Sequence, residues 1–86
     1  MDISAVSHLF KELYDDEVLR IELINGSKIY CLPSDIIYNA PNGIEIMKPI
    51  KNKWQHIIID ANSIIVVCTM SRETYDLKLQ RGELYV

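Results

Sequence analysis

The chain has 86 residues, 49% of them hydrophobic, with nine basic and twelve acidic side chains and a formal charge of −3. That suits one domain. A core of this size supplies only roughly 3–5 kcal/mol of net stability, so oligomerisation is a natural supplement. The acidic balance excludes the broadly basic footprint of a general nucleic-acid binder, and a phosphate ligand would have to be met by a local patch.

Residues Asp2 to Tyr14 carry Val6, Leu9, Phe10, Leu13 and Tyr14 at the spacing of one helical face. Asp2 or Ser4 can cap the start. The acidic run Asp15-Asp16-Glu17 opposes a helix C-terminal dipole and marks the exit. From Val18 to Ile24 the pattern alternates, with Leu19, Ile21 and Leu23 opposite Arg20 and Glu22. Asn25-Gly26 then predicts a type I′ hairpin turn, and Lys28 to Leu32 returns as a second strand. Pro33 cannot donate to a ladder, so pairing stops or bulges there.

Ser34 to Gly43 reads as irregular or partly extended, with an exposed loop at Asn39-Ala40-Pro41-Asn42-Gly43. Ile44 to Met47 is a short strand ended by Pro49. A linker from Lys48 to Lys53 leads into Trp54. Two β-branched runs, Ile57-Ile58-Ile59 and Ile64-Ile65-Val66-Val67, flank Asp60-Ala61-Asn62-Ser63. They are too apolar for strands with one solvated face and predict cover on both sides, from a closed barrel or a subunit interface. Thr74 to Val86 alternates at Tyr75, Leu77 and Leu79, turns at Arg81-Gly82 and ends in the extended Leu84-Tyr85-Val86. This reads as an extra C-terminal strand or hairpin that pairs with its own sheet or a neighbour's.

Two stretches resemble the signatures of the Sm-like small β-barrels, the superfamily that includes Hfq. L-R-I-E-L-I-N-G-S-K-I-Y, Leu19 to Tyr30, is similar to the family's opening hairpin. D-I-I-Y-N, Asp35 to Asn39, is similar to its D-x-x-M-N element, and I-I-D-A-N-S-I-I-V-V, Ile58 to Val67, to the frame of L-I-R-G-x-N-I-x-x-I. The resemblance covers about half the chain. It implies a mainly β fold: an N-terminal helix over 2–14, a five-stranded, strongly bent Sm-like barrel over 18–70, and an extension over 74–86, all in one domain, 1–86. A homo-oligomeric ring is expected too, because the Ile-rich strands offer more apolar surface than one small barrel hides and the terminal strand invites edge pairing. In the family, the Asn of the first element and the Arg of the second carry much of the RNA contact. Asn39 is retained, whereas Asp60-Ala61 stands in place of Arg-Gly, and an acid there repels phosphate.

Lys48, Lys51 and Lys53 with Trp54 form the chain's basic-plus-aromatic cluster, the pattern by which a base stacks on a ring beside phosphate-binding lysines. A solvated loop with a tucked tryptophan gives the same string. Tyr38 and Asn39 are the second ligand-facing candidates, beside the plainer reading of turn chemistry. Cys31 and Cys68 read as reduced thiols in apolar strands. With His8 and His56 they form no metal-ligand spacing, so neither metal nor cofactor is expected. No nucleophile, base and orienting group stand at a catalytic spacing, which predicts a non-enzyme.

The leading expectation is a self-associating Sm-like barrel that binds a nucleotide or short RNA through Tyr38, Asn39, Lys48, Lys51, Lys53 and Trp54. The alternative is a protein-binding module without nucleic-acid binding, using the aromatic-rich tail (Tyr75, Leu77, Leu79 and Tyr85) as its interface. Abundant Ile, Lys and Asn would suit a phage or mobile-element inhibitor of a host protein. A third reading is a sponge that sequesters a signalling nucleotide between subunits. No run reaches the ~18 apolar residues of a membrane span, and the start M-D-I-S-A-V-S lacks a signal peptide's basic and apolar regions. The cytoplasm is the expected location.

Overall fold

A computed structural model of the chain describes residues 3–50 and 52–83. Helix α1 (Ile3–Lys11) is followed by strands β1 (Glu17–Leu23), β2 (Lys28–Cys31), β3 (Ile36–Ala40), β4 (Gly43–Ile50) and β5 (Lys53–Asp60). A 3₁₀ turn (Ala61–Ser63), strand β6 (Ile64–Ser71) and helix α2 (Arg72–Gln80) complete the order. The strands form two three-stranded antiparallel sheets, a first of order β2-β1-β6 and a second of order β3-β4-β5. No pairing joins the sheets among the described residues, so hydrogen bonds close no barrel there. None of the described helices is long and apolar enough to cross a membrane.

The core lies between the sheets. Leu19, Ile21 and Cys31 of the first sheet meet Ile44, Ile46 and Ile59 of the second, with Ile64 and α1's Val6 in the same cluster. Alternation explains the choice: each of these strand residues is two positions from another on its own strand or shares a row across strands. The stripe predicted for α1 is present, with Leu9, Phe10 and Leu13 packed around the core. The helix ends at Lys11, short of the predicted Tyr14, because the Leu13 N–H donates to the Phe10 carbonyl and turns the chain.

Several expectations need correction. The Asn25-Gly26 loop is no type I′ turn: only Gly26 has positive φ, at 86°, and Asn25 Oδ1 accepts from the Ser27 N–H at 2.9 Å. The segment expected to be irregular or only partly extended contains a full strand, β3, whose Ile36 to Ala40 pair with Met47 back to Gly43. That makes six strands, not five, because the chain breaks at Leu32–Asp35, where it passes from the first sheet to the second. Pro49 does not end β4. The last β3 partner is Ile36 opposite Met47, so at Pro49 that side of β4 is already an edge and the missing N–H is not needed. The Lys48–Lys53 linker is correspondingly the end of a β4–β5 hairpin, and Asn52 takes φ 67°.

The largest correction is at the C-terminal side. Residues 72–80 form α2, not a strand. The Ser71 hydroxyl caps the helix by accepting from the Thr74 N–H at 3.1 Å, and Arg72 Nε donates to Asp76 one turn on at 3.1 Å. The predicted terminal strand Leu84–Val86 lies outside the described residues. Tyr75 inserts onto the outer face of the first sheet among Val18, Tyr30, Leu32 and Met70.

Candidate functional site

Register decides which predicted site residues can act together. In the second sheet, Ile36, Met47 and His56 form one row and Tyr38, Glu45 and Ile58 the next but one, with Pro49 beside Trp54. These rows share a parity, so all their side chains leave by the face turned away from the core. The result is an uncovered apolar surface: Trp54 is 58% exposed, Ile58 68% and Tyr38 51%, with Ile36 also exposed. At its centre His56 Nε2 and Glu45 Oε2 are 3.3 Å apart. A shallow cleft of about 350 Å³ continues the surface at Ala40, Asn42, Gly43, Ile58, Ile59 and Asp60. Gly43 allows β4 and β5 to approach there, since a Cβ would collide with the Ile59 carbonyl oxygen.

The other predicted ligand residues do not join this face. Asn39 is on the α1 side of β3, where its Oδ1 accepts from the Ser7 hydroxyl and the residue lines a small cleft with Phe10, Lys11 and Ile37. Lys53 is exposed but leaves β5 on the opposite side from Trp54. Lys51 lies outside the described residues. Lys48, expected in a solvated loop, is buried beside Ile46 on the core side. Its ammonium donates to the Tyr30 carbonyl and is 3.9 Å from Asp35 Oδ2. No basic patch therefore forms from this cluster among the described residues.

Asp35 is the counter-charge that keeps Lys48 inside. Its Oδ2 accepts from the Leu32 N–H at 2.9 Å and its own N–H donates to the Leu32 carbonyl at the same distance, which fixes the turn between β2 and β3. Oδ1 finds no hydrogen-bond partner among the described residues. Burial raises the Asp35 pKa, and the Leu32 hydrogen bond and the Lys48 charge only partly offset it. The pair acts as a pin across the strand break.

Among the predicted interface residues, Tyr75 is spent on internal packing at 3% exposure, with its ring 5.7 Å from that of Tyr30 and under the Arg72 guanidinium. Leu77 and Leu79 are exposed on α2, and Tyr85 lies outside the described residues. At the position of the Arg-Gly pair, the Asp60 carboxylate accepts from the Asn62 N–H at 2.9 Å and so caps the 3₁₀ turn. Ile36, Met47 and Ile58 were missed, although two-residue spacing (Ile36 with Tyr38, and Trp54 with His56 and Ile58) contains the signal.

Strand edges complete the surface. β5 and β6 are outer strands of their sheets, as β2 and β3 are, and among the described residues each has a strand partner on one side alone. On β6 the exposed Ile65 and Val66 lie near the bulge where the register with β1 shifts between Glu22 and Leu23. Cys31 and Cys68 are both free thiols. They lie on opposite faces of the first sheet, Cys31 opposite Leu19 and Cys68 opposite Arg20. Burial pushes the Cys31 thiol up to about 12. No cluster of three or more His, Cys, Asp or Glu among the described residues could hold a metal ion. Compared with family models, curated proteins and solved structures, the chain shows no match.

Proposed function

We propose that this chain is a non-enzymatic, self-associating module of Sm-like architecture that joins copies through the free edges of β5 and β6. The observation that carries the reading is β6 itself. It is an eight-residue edge strand, I-I-V-V-C-T-M-S, with no charge and no proline. Native edges are normally protected by such devices or by cover. β5 offers a matching partner of eight residues. Laid antiparallel, Trp54 falls opposite Met70, His56 opposite Cys68 and Ile58 opposite Val66, and the faces of both sheets continue across the junction. Two different edges make a heterologous contact, which closes into a ring when the rotation permits.

Connectivity supports the Sm-like part. β2 and β3 behave as two halves of one bent strand, and a 3₁₀ turn links the last two strands. The order β6-β1-β2 then β3-β4-β5 is what such a barrel would need. For the ligand, geometry favours a protein over a nucleotide. Tyr38 and Trp54 share a face on which bases could stack, but Lys48 is committed to Asp35 and Asn39 to Ser7.

Native mass spectrometry tests the assembly. The wild-type chain should give a single closed oligomer, and Ile65→Lys with Val66→Lys should give monomers with an unchanged circular dichroism spectrum. A monomeric wild type at tens of micromolar would sink the reading.

A further inference from the structure

Four sheet faces exist, and three have a layer against them. The two inner faces meet in the core, and the outer face of the first sheet carries α2 through Tyr75. Among the described residues, nothing covers the outer face of the second sheet. We infer that this face docks on the same face of a second copy, back to back.

Its composition selects that occupant. Ile36, Tyr38, Met47, Pro49, Trp54 and Ile58 make it apolar, and contiguous apolar surface of this kind marks an interaction site. Its centre holds one acid and one base, Glu45 and His56, already paired. A copy of the same face meets its own complement. With the two-fold axis running across the strands, between the Met47 and Glu45 rows, Tyr38 of each copy lies over Ile36 of the other. The same axis keeps the two Glu45 carboxylates apart and sets each near a His56. Two such sheets stack at ~10 Å with interdigitated side chains.

Size predicts how strong the contact is. Three strands at ~4.8 Å spacing and eight residues at ~3.3 Å rise offer roughly 400 Å² per copy. A standard interface uses ~800 Å² per partner. One pair of faces is therefore weak, and several pairs held in register by a ring are strong through avidity. In this respect the inference rests on the edge assembly, although it uses a different surface.

Trp54 is the chain's single tryptophan and sits on the face, so its fluorescence reads the contact directly. Acrylamide quenching and native mass are measured together on the wild type, on Tyr38→Glu and on the Ile65→Lys, Val66→Lys variant. The wild-type assembly should shield Trp54. Tyr38→Glu should halve the mass and raise quenching several-fold while the edge contacts persist. A wild-type oligomer with freely quenched Trp54, or one whose mass ignores Tyr38→Glu, overturns the inference and leaves the edge reading standing. If the wild type is no more than a shielded dimer and the edge variant leaves that dimer intact, the edge reading falls and the face contact stands. A single-stranded oligonucleotide that quenches Trp54 without changing the mass would overturn the inference in favour of base stacking. A wild-type monomer with exposed Trp54 overturns both.

Discussion

The outer faces of the two sheets use the same kinds of residue for different ends. On the first sheet, Val18, Tyr30 and Met70 are roofed by Tyr75 of α2, and the aromatic pair is nearly dry. On the second, Tyr38 and Trp54 stand in water with Ile36 and Ile58 beside them. An aromatic on a strand face therefore does not by itself say whether that face ends buried or exposed. What separates the two is whether the chain supplies a further element to lie on top. The first sheet spends its apolar face on stability, and the second keeps its own available.

Substitutions can break or sharpen that contrast. The largest effect is expected inside the molecule: Lys48→Met leaves Asp35 buried without its counter-charge and should lower unfolding free energy by roughly 3–5 kcal/mol in urea titrations. Adding Asp35→Leu should recover part of that loss. If the double variant were as unstable as the sum of the singles, the two residues would not act as a pair. Next, Tyr75→Ala should destabilise by roughly 3 kcal/mol, as deletion of a buried aromatic does. Tyr38→Ala should fall within about 0.5 kcal/mol of wild type in the monomeric edge variant. Equal effects at the two tyrosines would erase the distinction between a roofed and a bare face.

The smallest effect concerns pH. Asp35 has a pKa raised by burial, so its ionisation is less favourable folded than unfolded. The folded state then holds the proton more tightly, and this residue's contribution to stability is fullest below its ordinary value and declines as pH rises through the raised folded one. Asp35→Asn should remove that decline. The stability difference between wild type and variant, followed by urea titration from acid to neutral pH, should shift in the variant's favour as pH rises. A difference independent of pH would reject the assignment.

Much of the fold was legible in local pattern. The stripe of Val6, Leu9, Phe10 and Leu13 gave α1, and the alternation of Leu19 and Ile21 gave β1 and its core face. The tail was misread because Tyr75, Leu77 and Leu79 alternate like a strand. The competing signal was the spacing of Tyr75 and Leu79, four apart, behind a Ser71 cap and the Arg72–Asp76 pair. Lys48 was misread because lysine clusters suggest solvent. Its position two residues beyond Ile46, itself two beyond Ile44, places it on the core side. What makes the placement tolerable is Asp35, thirteen positions upstream and adjacent only after folding. The exposed face was legible only in part, since no local pattern says that a strand's second face will lack a cover.

The two thiols divide the chain's covalent chemistry by depth. Cys31 is fully enclosed and holds its proton to about pH 12, whereas thiolate is the reactive form. Cys68 lies half-buried on β6, the strand with the bare edge. Electrophiles that reach the folded protein thus meet one thiol, on an outer strand of the first sheet. The other stays silent until the molecule opens.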